Sequence, residues 1–316
     1  MSSERIALAV DLGGTNLRTG AVTRNGDVIC SRRAPTPARE PWERTVDVIA
    51  EHVASLRSEI AQSGIEIAGI GIGAPGPLDV RTGIVFSSPN FPLWFNVPLA
   101  SAVGERTGLP VRVENDADAA ALAEARWGSG AGVTDFIYLT IGTGLGSSLI
   151  INGRAWHGVS GIAAEAGHIT IEAQGRLCGC GNTGCWESYV SGWAIVQRTK
   201  ELLSDTGRSP QWSRGALEPH IVADAALAGD TLAQRVYQET GRYLGIGIAS
   251  LVNLLNPGLI VIGGGVSAAG HLLLDPARDE LHRRAFSTQA QAVRIERAAL
   301  KEPGLIGAAA IVYSDL

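Results

Sequence analysis

The sequence predicts an α/β protein built from two related domains, and three features of the chain support this. Its 316 residues are about twice the length of a typical single domain. Short apolar runs alternate with amphipathic stretches along the chain. Both halves open alike, because a strand (5–10 or 136–141) runs into a turn of Gly and Thr and is followed by a returning strand. We infer an internal duplication rather than one large sheet.

The first half predicts a β-hairpin followed by alternating helices and strands. The turn signal Asn25-Gly26-Asp27 divides two apolar runs, as expected for a hairpin. Between Pro41 and Gly64 the apolar residues recur every three or four positions, which indicates an amphipathic helix. The predicted elements are strands 5–10, 17–22, 28–33, 65–72 and 111–113 and helices 41–64 and 98–106.

The second half repeats the pattern with longer helices. Its predicted elements are strands 136–141, 149–151 and 259–262 and helices 186–203, 230–255 and 304–315. The last helix is rich in Ala, and we expect it to return to the first domain. The predicted domains are a smaller one, 1–117 plus about 302–316, and a larger one, 118–301.

Composition excludes several classes of protein. A net charge of −5 gives no basic surface for nucleic acid, and no run approaches the about 18 apolar residues of a membrane span. The first apolar run is too short for the core of a signal peptide, so a cytoplasmic location is expected. The only lysines, Lys200 and Lys301, do not follow a glycine loop, which excludes a P-loop. The match to G-x-G-x-x-G at 71–76 is followed by prolines and is not a dinucleotide fingerprint.

A cluster of metal-ligand residues is the sharpest motif. Cys178, Cys180 and Cys185 follow His168 in a glycine-rich segment. Three thiolates and one imidazole complete a tetrahedral zinc shell with no open position, which predicts a structural Zn²⁺. The alternatives are a chance cluster and a redox pair.

Two loops of Gly and Thr, 11–15 and 142–144, follow strands. Backbone N–H groups in such loops approach phosphate oxygens closely, and Asp11 at a strand end suits Mg²⁺. Either loop alone is more often a simple turn. Their equivalent places in the two halves indicate a nucleotide held by both domains.

Carboxylates follow a third strand and flank the cysteine cluster. Asp116 in Glu114-Asn115-Asp116-Ala117 is a candidate general base with Asn115 beside it, although Asn and Asp at a strand-to-helix junction also serve as helix N-caps. Glu165 and Glu187 flank the zinc residues and are candidates to bind the hydroxyls of a polyol, or are solvated.

Together these motifs resemble the ROK family of sugar kinases over nearly the whole chain. The matching segments are 11–15, 73–76, 114–117, 142–144, 165–168 and 178–187. The resemblance implies a two-domain, actin-like ATPase fold of the hexokinase type, related to ribonuclease H, with a cleft between the domains. It implies ATP-dependent phosphorylation of a hexose at its 6-hydroxyl, with ATP, Mg²⁺ and zinc, in a homodimer or a dimer of dimers.

The resemblance also assigns roles to residues. Asp116 would be the catalytic base, and zinc would bind His168, Cys178, Cys180 and Cys185. The residues implied to bind the sugar are Asn115, Glu165, His168, Glu187, Gly76 and Asn90. The residues implied to bind the nucleotide and Mg²⁺ are Asp11, Gly13, Gly14, Thr15, Gly142, Thr143, Gly144, Gly264 and Gly265.

Segment 88–94 is similar to the glucokinase branch of the family, which makes glucose the expected substrate. An N-acetylhexosamine kinase (GlcNAc or ManNAc) and a non-catalytic sugar-sensing regulator are the alternatives. Because the phosphate loop begins at residue 11, a DNA-binding segment like the one that precedes the core in repressors is not expected. Two departures from the family pattern, Ala164 and the pair Ser147-Ser148, bear on the sugar more than on the reaction.

Overall fold

The computed structural model describes residues 5–61, 64–88 and 90–314, so Pro89 of segment 88–94 lies outside it. The described strands are β1 (Arg5–Leu12), β2 (Asn16–Val22), β3 (Val28–Pro35), β4 (Glu66–Ala74), β5 (Leu78–Asp79), β6 (Ile84–Val85), β7 (Val111–Asn115), β8 (Phe136–Ile141), β9 (Leu145–Ile151), β10 (Arg154–Ala155), β11 (Leu259–Gly263) and β12 (Arg294–Arg297).

The described α-helices are α1 (Trp42–Ile60), α2 (Leu99–Thr107), α3 (Asp116–Trp127), α4 (Glu187–Val190), α5 (Gly192–Thr206), α6 (Pro219–Leu227), α7 (Thr231–Leu255), α8 (His271–Arg284), α9 (Ser287–Ala292) and α10 (Pro303–Tyr313). In this part of the chain, none of the helices combines the length and the apolar character that crossing a bilayer requires.

Two five-stranded sheets have equivalent strand orders, β3-β2-β1-β4-β7 and β10-β9-β8-β11-β12. In the first sheet β1 pairs antiparallel with β2 and parallel with β4, which pairs parallel with β7. In the second sheet β8, β11 and β12 are parallel, and β10 pairs antiparallel with β9. The repeated topology agrees with the predicted duplication and with the α/β fold expected from it.

The chain forms two compact units. Unit 1 takes its residues from 1–134, 149–164 and 299–316, and unit 2 from 135–148 and 165–298. Segments 118–134, 149–164 and 299–301 therefore lie in unit 1, whereas the predicted domain bounds put them in the larger domain. Helix α3 belongs to unit 1 because it packs against α10, which also lies on β1 and β4.

The return of the last helix depends on close packing. Ala308 of α10 is fully buried, and a Cβ on Gly71 of β4 would collide with its carbonyl oxygen. The hydroxyl of Tyr313 accepts a hydrogen bond from Ala7 N–H (2.8 Å) and donates one to Val22 C=O (2.7 Å). Small residues in α10 and a glycine in β4 therefore allow the last helix to pack closely on the first sheet.

The structure corrects the prediction of one continuous helix over 186–203. The chain forms α4 and α5 instead, separated at Ser191, whose extended backbone ends the first helix and whose hydroxyl caps the second by accepting from Ala194 N–H (3.2 Å). The unpredicted strands and α-helices are β5, β6, β10, β12, α6, α8 and α9. Strand β9 begins at Leu145, four residues before the predicted start at 149.

Candidate functional site

Four side chains of unit 2 converge as the cysteine spacing predicted. One ligand atom each from His168, Cys178, Cys180 and Cys185 lies within 4.8 Å of the others. Cys180 Sγ is 3.7 Å from Cys185 Sγ, and Cys178 Sγ is 3.8 Å from His168 Nδ1. Ligands at Zn–S distances of about 2.3 Å at the corners of a tetrahedron lie about 3.8 Å apart. The four side chains therefore fit a zinc ion.

Backbone hydrogen bonds hold this Cys3His cluster in a tight loop. Cys178 N–H donates to Asn182 C=O (2.8 Å), and Gly181 N–H donates back to Cys178 C=O (3.0 Å). The next residue after Cys185 is Trp186, which is fully buried and donates its indole N–H to Tyr243 C=O (2.9 Å) on α7. The loop is thus anchored in the core directly before α4.

The thiols of the cluster differ in acidity. The backbone N–H of Asn182 is the main cause that lowers the pKa of Cys180, whereas burial raises the pKa of Cys185 to about 12. In the absence of a cation, the Cys185 thiol stays protonated at neutral pH. A divalent metal favours thiolate at both positions, so metal binding would release protons.

Glu187 connects the Cys3His cluster with the Gly142–Gly144 loop. Its Oε2 accepts a hydrogen bond from Leu145 N–H (2.8 Å), and a Cβ on Gly144 would collide with its carboxylate. Its Oε1 lies 3.9 Å from Cys178 Sγ. One carboxylate at the start of α4 therefore contacts both predicted motifs.

Glu165 and His168 bracket a short 3₁₀ helix (Ala166–His168), and both are exposed. The Ser147 hydroxyl of β9 accepts a hydrogen bond from Ala166 N–H (3.0 Å) and holds this turn. The Nδ1 of His168 faces Cys178, so its Nε2 is left for a second partner. Ala164, directly before Glu165, has a φ of 67°, a left-handed conformation that favours glycine.

A mostly apolar cavity of about 470 Å³ adjoins the second Gly/Thr loop. It lies beside the carboxyl ends of the parallel strands β8 and β11, where α/β proteins bind ligands. The predicted residues Gly142, Thr143 and Gly265 line it, and a Cβ on Gly264 would collide with the Ile141 backbone. The prediction missed its other lining residues, Gly192, Trp193, Val196, Pro219, His220 and Val266.

A second cavity of about 520 Å³ borders the same loop. Thr143 and Trp193 line both cavities, whereas Cys178 and Glu187 line only the second. The Gly142–Gly144 loop therefore borders both the apolar cavity and a cavity lined by the Glu187 carboxylate and Cys178.

Asn115 and Asp116 lie in unit 1 where β7 ends and α3 begins. Asn115 Oδ1 accepts from Ala117 N–H (2.9 Å) and caps the helix, as one of the two interpretations of the motif expected. Asp116 is exposed, and its Oδ1 also accepts from Ala117 N–H (2.8 Å). A Cβ on Gly76 would lie 3.0 Å from Asn115 Nδ2, which places Gly76 beside this strand end.

The first Gly/Thr loop also lies in unit 1. Gly13 N–H donates to Asn16 C=O (3.1 Å), and the Thr36 side chain donates to Gly13 C=O (2.7 Å). A Cβ on Gly14 would lie 2.9 Å from the Cβ of Asn90, so Asn90 stands over this loop. Thr15, which completes the predicted loop, is exposed.

Asp11 stands near the end of β1, next to the start of α10. The pKa of Asp11 is raised, mainly by burial. The charge of Arg18 lowers this pKa in part, and that of Glu302 raises it further. A partly buried carboxyl group beside a glycine loop suits a divalent cation, because the cation offsets the cost of ionising it.

Comparison with known proteins identifies the family. The model of the ROK family matches residues 7–315. The chain belongs to the ROK family. Among its relatives, the glucokinase of Streptomyces coelicolor is 39% identical over 285 residues, which cover 88% of this chain and 87% of that protein. The xylose repressor of Caldicellulosiruptor bescii is 34% identical over 313 residues, covering 98% of this chain and 78% of the repressor.

A solved ROK family structure gives the same picture. The ROK family glucokinase from Streptomyces griseus, in complex with glucose and AMPPNP, matches with a TM-score of 0.81 and 37% identity over 98% of this chain and 99% of that chain. The named ROK relatives thus include kinases and a repressor, and residues of this chain must decide between the two classes.

Proposed function

We propose that this protein is an ATP-dependent hexose kinase that converts glucose to glucose 6-phosphate. The observation that carries the proposal is the position of Glu187, which contacts the Gly142–Gly144 loop through one oxygen and lies beside the Cys3His cluster through the other. A sugar ligand and a phosphate loop are thereby joined in unit 2. The similarity to two glucokinases supports glucose as the substrate.

Asp116 is proposed as the general base. It accepts the proton of the sugar 6-hydroxyl as that oxygen forms a bond to the γ-phosphorus and the bond from phosphorus to the β,γ-bridging oxygen breaks, leaving ADP. Asp116 then releases the proton to solvent. Its exposure at the start of α3 supports this role, and Asn115 can cap the helix without it.

The sugar is proposed to bind through its hydroxyl groups. Carboxylates accept hydrogen bonds from hydroxyls, and side-chain amides both donate and accept them. His168 offers its Nε2 as a further hydrogen-bonding atom. The proposed sugar ligands are Asn115, Glu165, His168, Glu187, Gly76 and Asn90.

Zinc is proposed to occupy the Cys3His cluster with a structural role. The four ligands leave no open position for a reacting group. A metal on Nδ1 of His168 would fix the orientation of the ring, and Nε2 would carry the proton and be available as a donor to the sugar. The metal also holds the loop that leads directly into Glu187.

ATP is proposed to bind along the two Gly/Thr loops. The apolar cavity lined by Trp193, Pro219 and Val266 would take the base, and Gly264–Gly265 would lie near the adenosine. Gly13 N–H and Gly142 N–H are donated within their own loops, so the backbone N–H groups of Gly14–Thr15 and Thr143–Gly144 would contact the phosphates. Asp11 would hold Mg²⁺, whose positive charge would neutralise the transferring phosphoryl group.

Two other functions are distinguished by specific observations. An N-acetylhexosamine kinase would use the same carboxylates. The observation that bears on the choice between the two sugars is Ala164, which departs from the family pattern next to Glu165. A sugar-sensing regulator is supported by the similarity to the xylose repressor. An exposed Asp116 and two phosphate loops favour turnover, because a sensor requires neither.

A coupled assay with ATP tests the proposal across glucose, N-acetylglucosamine, N-acetylmannosamine, mannose and fructose. The expected result is the highest kcat/KM for glucose, with a value in the range of about 10⁴–10⁸ M⁻¹s⁻¹ that is usual for enzymes. A higher kcat/KM for an N-acetylhexosamine would show that this sugar, and not glucose, is the preferred substrate. Sugar binding without ADP release would favour the sugar-sensing regulator.

A further inference from the structure

Three ionisable side chains of unit 1 form a cluster that the proposed reaction does not use. His157 Nε2 donates to Glu114 Oε1 (3.1 Å) and Oε2 (3.0 Å), and it lies 3.9 Å from Asp118 Oδ2. The side chains of Glu114 and Asp118 are only 8% and 9% exposed, and that of His157 is 26% exposed. A charge-assisted contact this deeply buried is stronger than a surface ion pair.

The cluster contacts the strand end that carries the proposed catalytic residues. Glu114 Oε1 accepts a hydrogen bond from Asn115 N–H (3.0 Å) in addition to that from His157. Asn115 in turn caps α3 through Ala117 N–H. His157 therefore connects through one carboxylate to the backbone on which Asn115 and Asp116 stand.

His157 also fixes the segment that leads to Glu165. Its carbonyl accepts from Ala163 N–H (3.1 Å), and the preceding Trp156 N–H donates to Leu149 C=O (2.8 Å). The next residue after Ala163 is Ala164, whose positive φ fixes the chain direction immediately before Glu165. These loop contacts are made by the backbone of residue 157, and the imidazole anchors that backbone position to Glu114, at the start of a short loop whose end precedes a proposed sugar ligand.

Charged groups from several elements face this histidine. Glu114 of β7 and Asp118 of α3 contact it, while Arg126 of α3 and Arg154 of β10 line the same cavity. Arg81 and Arg112 line a neighbouring cavity that includes Glu114 and His157. The pKa of His157 lies above its ordinary 6.5, and the main cause is the hydrogen bond to Glu114. Burial lowers this pKa, whereas the charges of Glu114 and Asp118 raise it further.

The same three side chains could each offer an atom to a metal ion. The contacts favour an ion pair instead, because the ring nitrogen already donates to both Glu114 oxygens. Arginines that line the adjoining cavities further disfavour a cation.

We propose that His157 is a positioning residue which, as an imidazolium, holds Glu114 and thereby sets the sugar affinity of the kinase. This inference rests on the proposed function. When the ring loses its proton, the ion pair is lost, and what remains is a weaker hydrogen bond from a neutral ring to the Glu114 carboxylate. Sugar affinity therefore falls as pH rises through the pKa of His157.

Steady-state kinetics of four proteins test this between about pH 5 and 9, the range around which histidine titrates. The proteins are the wild type, His157→Arg, His157→Gln and, as a control, His282→Gln at an exposed position on α8. In the wild type and the control, the glucose KM should rise roughly three- to tenfold with pH while kcat changes less. His157→Arg should keep a low KM throughout, and His157→Gln a high one.

A ring titration by NMR of the wild type and of Glu114→Gln, with His157→Gln to assign the signal of His157, provides a readout that does not depend on turnover. The pKa of His157 should fall in Glu114→Gln, and chelation should leave the titration unchanged. A histidine that titrates only after chelation would show a bound metal and overturn the proposal.

The kinetic outcomes separate two kinds of failure. An active enzyme whose pH profile is the same in the wild type, His157→Arg and His157→Gln would overturn the role of His157 alone. A wild type that phosphorylates none of the sugars would overturn the proposed function.

Discussion

Glu187 Oε2 accepts a 2.8 Å hydrogen bond from the backbone N–H of Leu145, the residue that follows the Gly142–Gly144 loop. The same carboxylate borders the Cys3His cluster through Cys178. We therefore expect a substitution at Glu187 to alter both the phosphate loop and the binding of sugar.

Glu187→Gln tests this relationship. The amide keeps the shape and one acceptor but loses the charge, so we expect the glucose KM to rise about 10- to 100-fold, as for loss of a charge-assisted hydrogen bond. The ATP KM should also rise, by less. Glu172→Gln, at an exposed position in the same loop region, is the control and should match the wild type. A normal glucose KM in Glu187→Gln would remove this residue from the sugar site.

Metal analysis tests the Cys3His cluster. Protein purified without added metal should hold about one zinc per chain. Cys180→Ser should lose the metal, lower the melting temperature and raise the glucose KM, because the loop before Glu187 loses its anchor. Cys30→Ser, at a half-buried thiol in unit 1, should retain the zinc. Full activity in metal-free wild-type protein contradicts the structural role.

Ser147→Ala removes the acceptor of the Ala166 N–H hydrogen bond. Loss of one buried hydrogen bond costs about 1 kcal/mol of unfolding free energy, and the turn of Glu165 and His168 loosens, so the glucose KM should rise. The matched control is Ser148→Ala, since the Ser148 hydroxyl is buried without a hydrogen-bond partner among the described residues. Denaturant unfolding should show a loss in the first variant and none in the second.

Asp11→Asn should separate stability from activity. Because burial raises the pKa of Asp11, its ionised form destabilises the folded state, and stability falls as pH rises through that pKa. At pH 7 the neutral amide should raise the melting temperature while kcat falls, since the proposed Mg²⁺ partner is lost. Scanning calorimetry at low and neutral pH checks this, and the gain should vanish at low pH. A lower melting temperature at pH 7 would show that the carboxylate is well stabilised.

Residue spacing was enough to predict the parts of the fold and site that depend on local sequence. The alternation of strands and helices follows from periodicity, the return of α10 was expected from its Ala-rich composition, and the Cys3His cluster follows from ligands close together in the chain. The apolar cavity does not, because Trp193 and Val266 are brought together only by the packing of α5 near the end of β11. The pair of His157 and Glu114 is likewise separated by 43 residues and has no spacing signature.

The backbone conformation at Ala164 adds to what the sequence indicates about this residue. From the sequence alone, Ala164 is a departure from the family pattern that bears on the sugar. Its φ of 67° adds a second effect, since an L-residue is strained in this conformation. Whether a residue has a positive φ depends on the path of the chain, which composition does not reveal.

The most direct test of the central claim is phosphoryl transfer to glucose by the wild type and by Asp116→Asn, followed by ³¹P NMR of the product. The wild type should form glucose 6-phosphate and leave 6-deoxyglucose unmodified. Asp116→Asn should bind glucose as tightly but show a kcat lower by about 10²–10⁴, as expected for loss of a general base. Transfer to another hydroxyl, or a normal kcat in Asp116→Asn, would contradict the account.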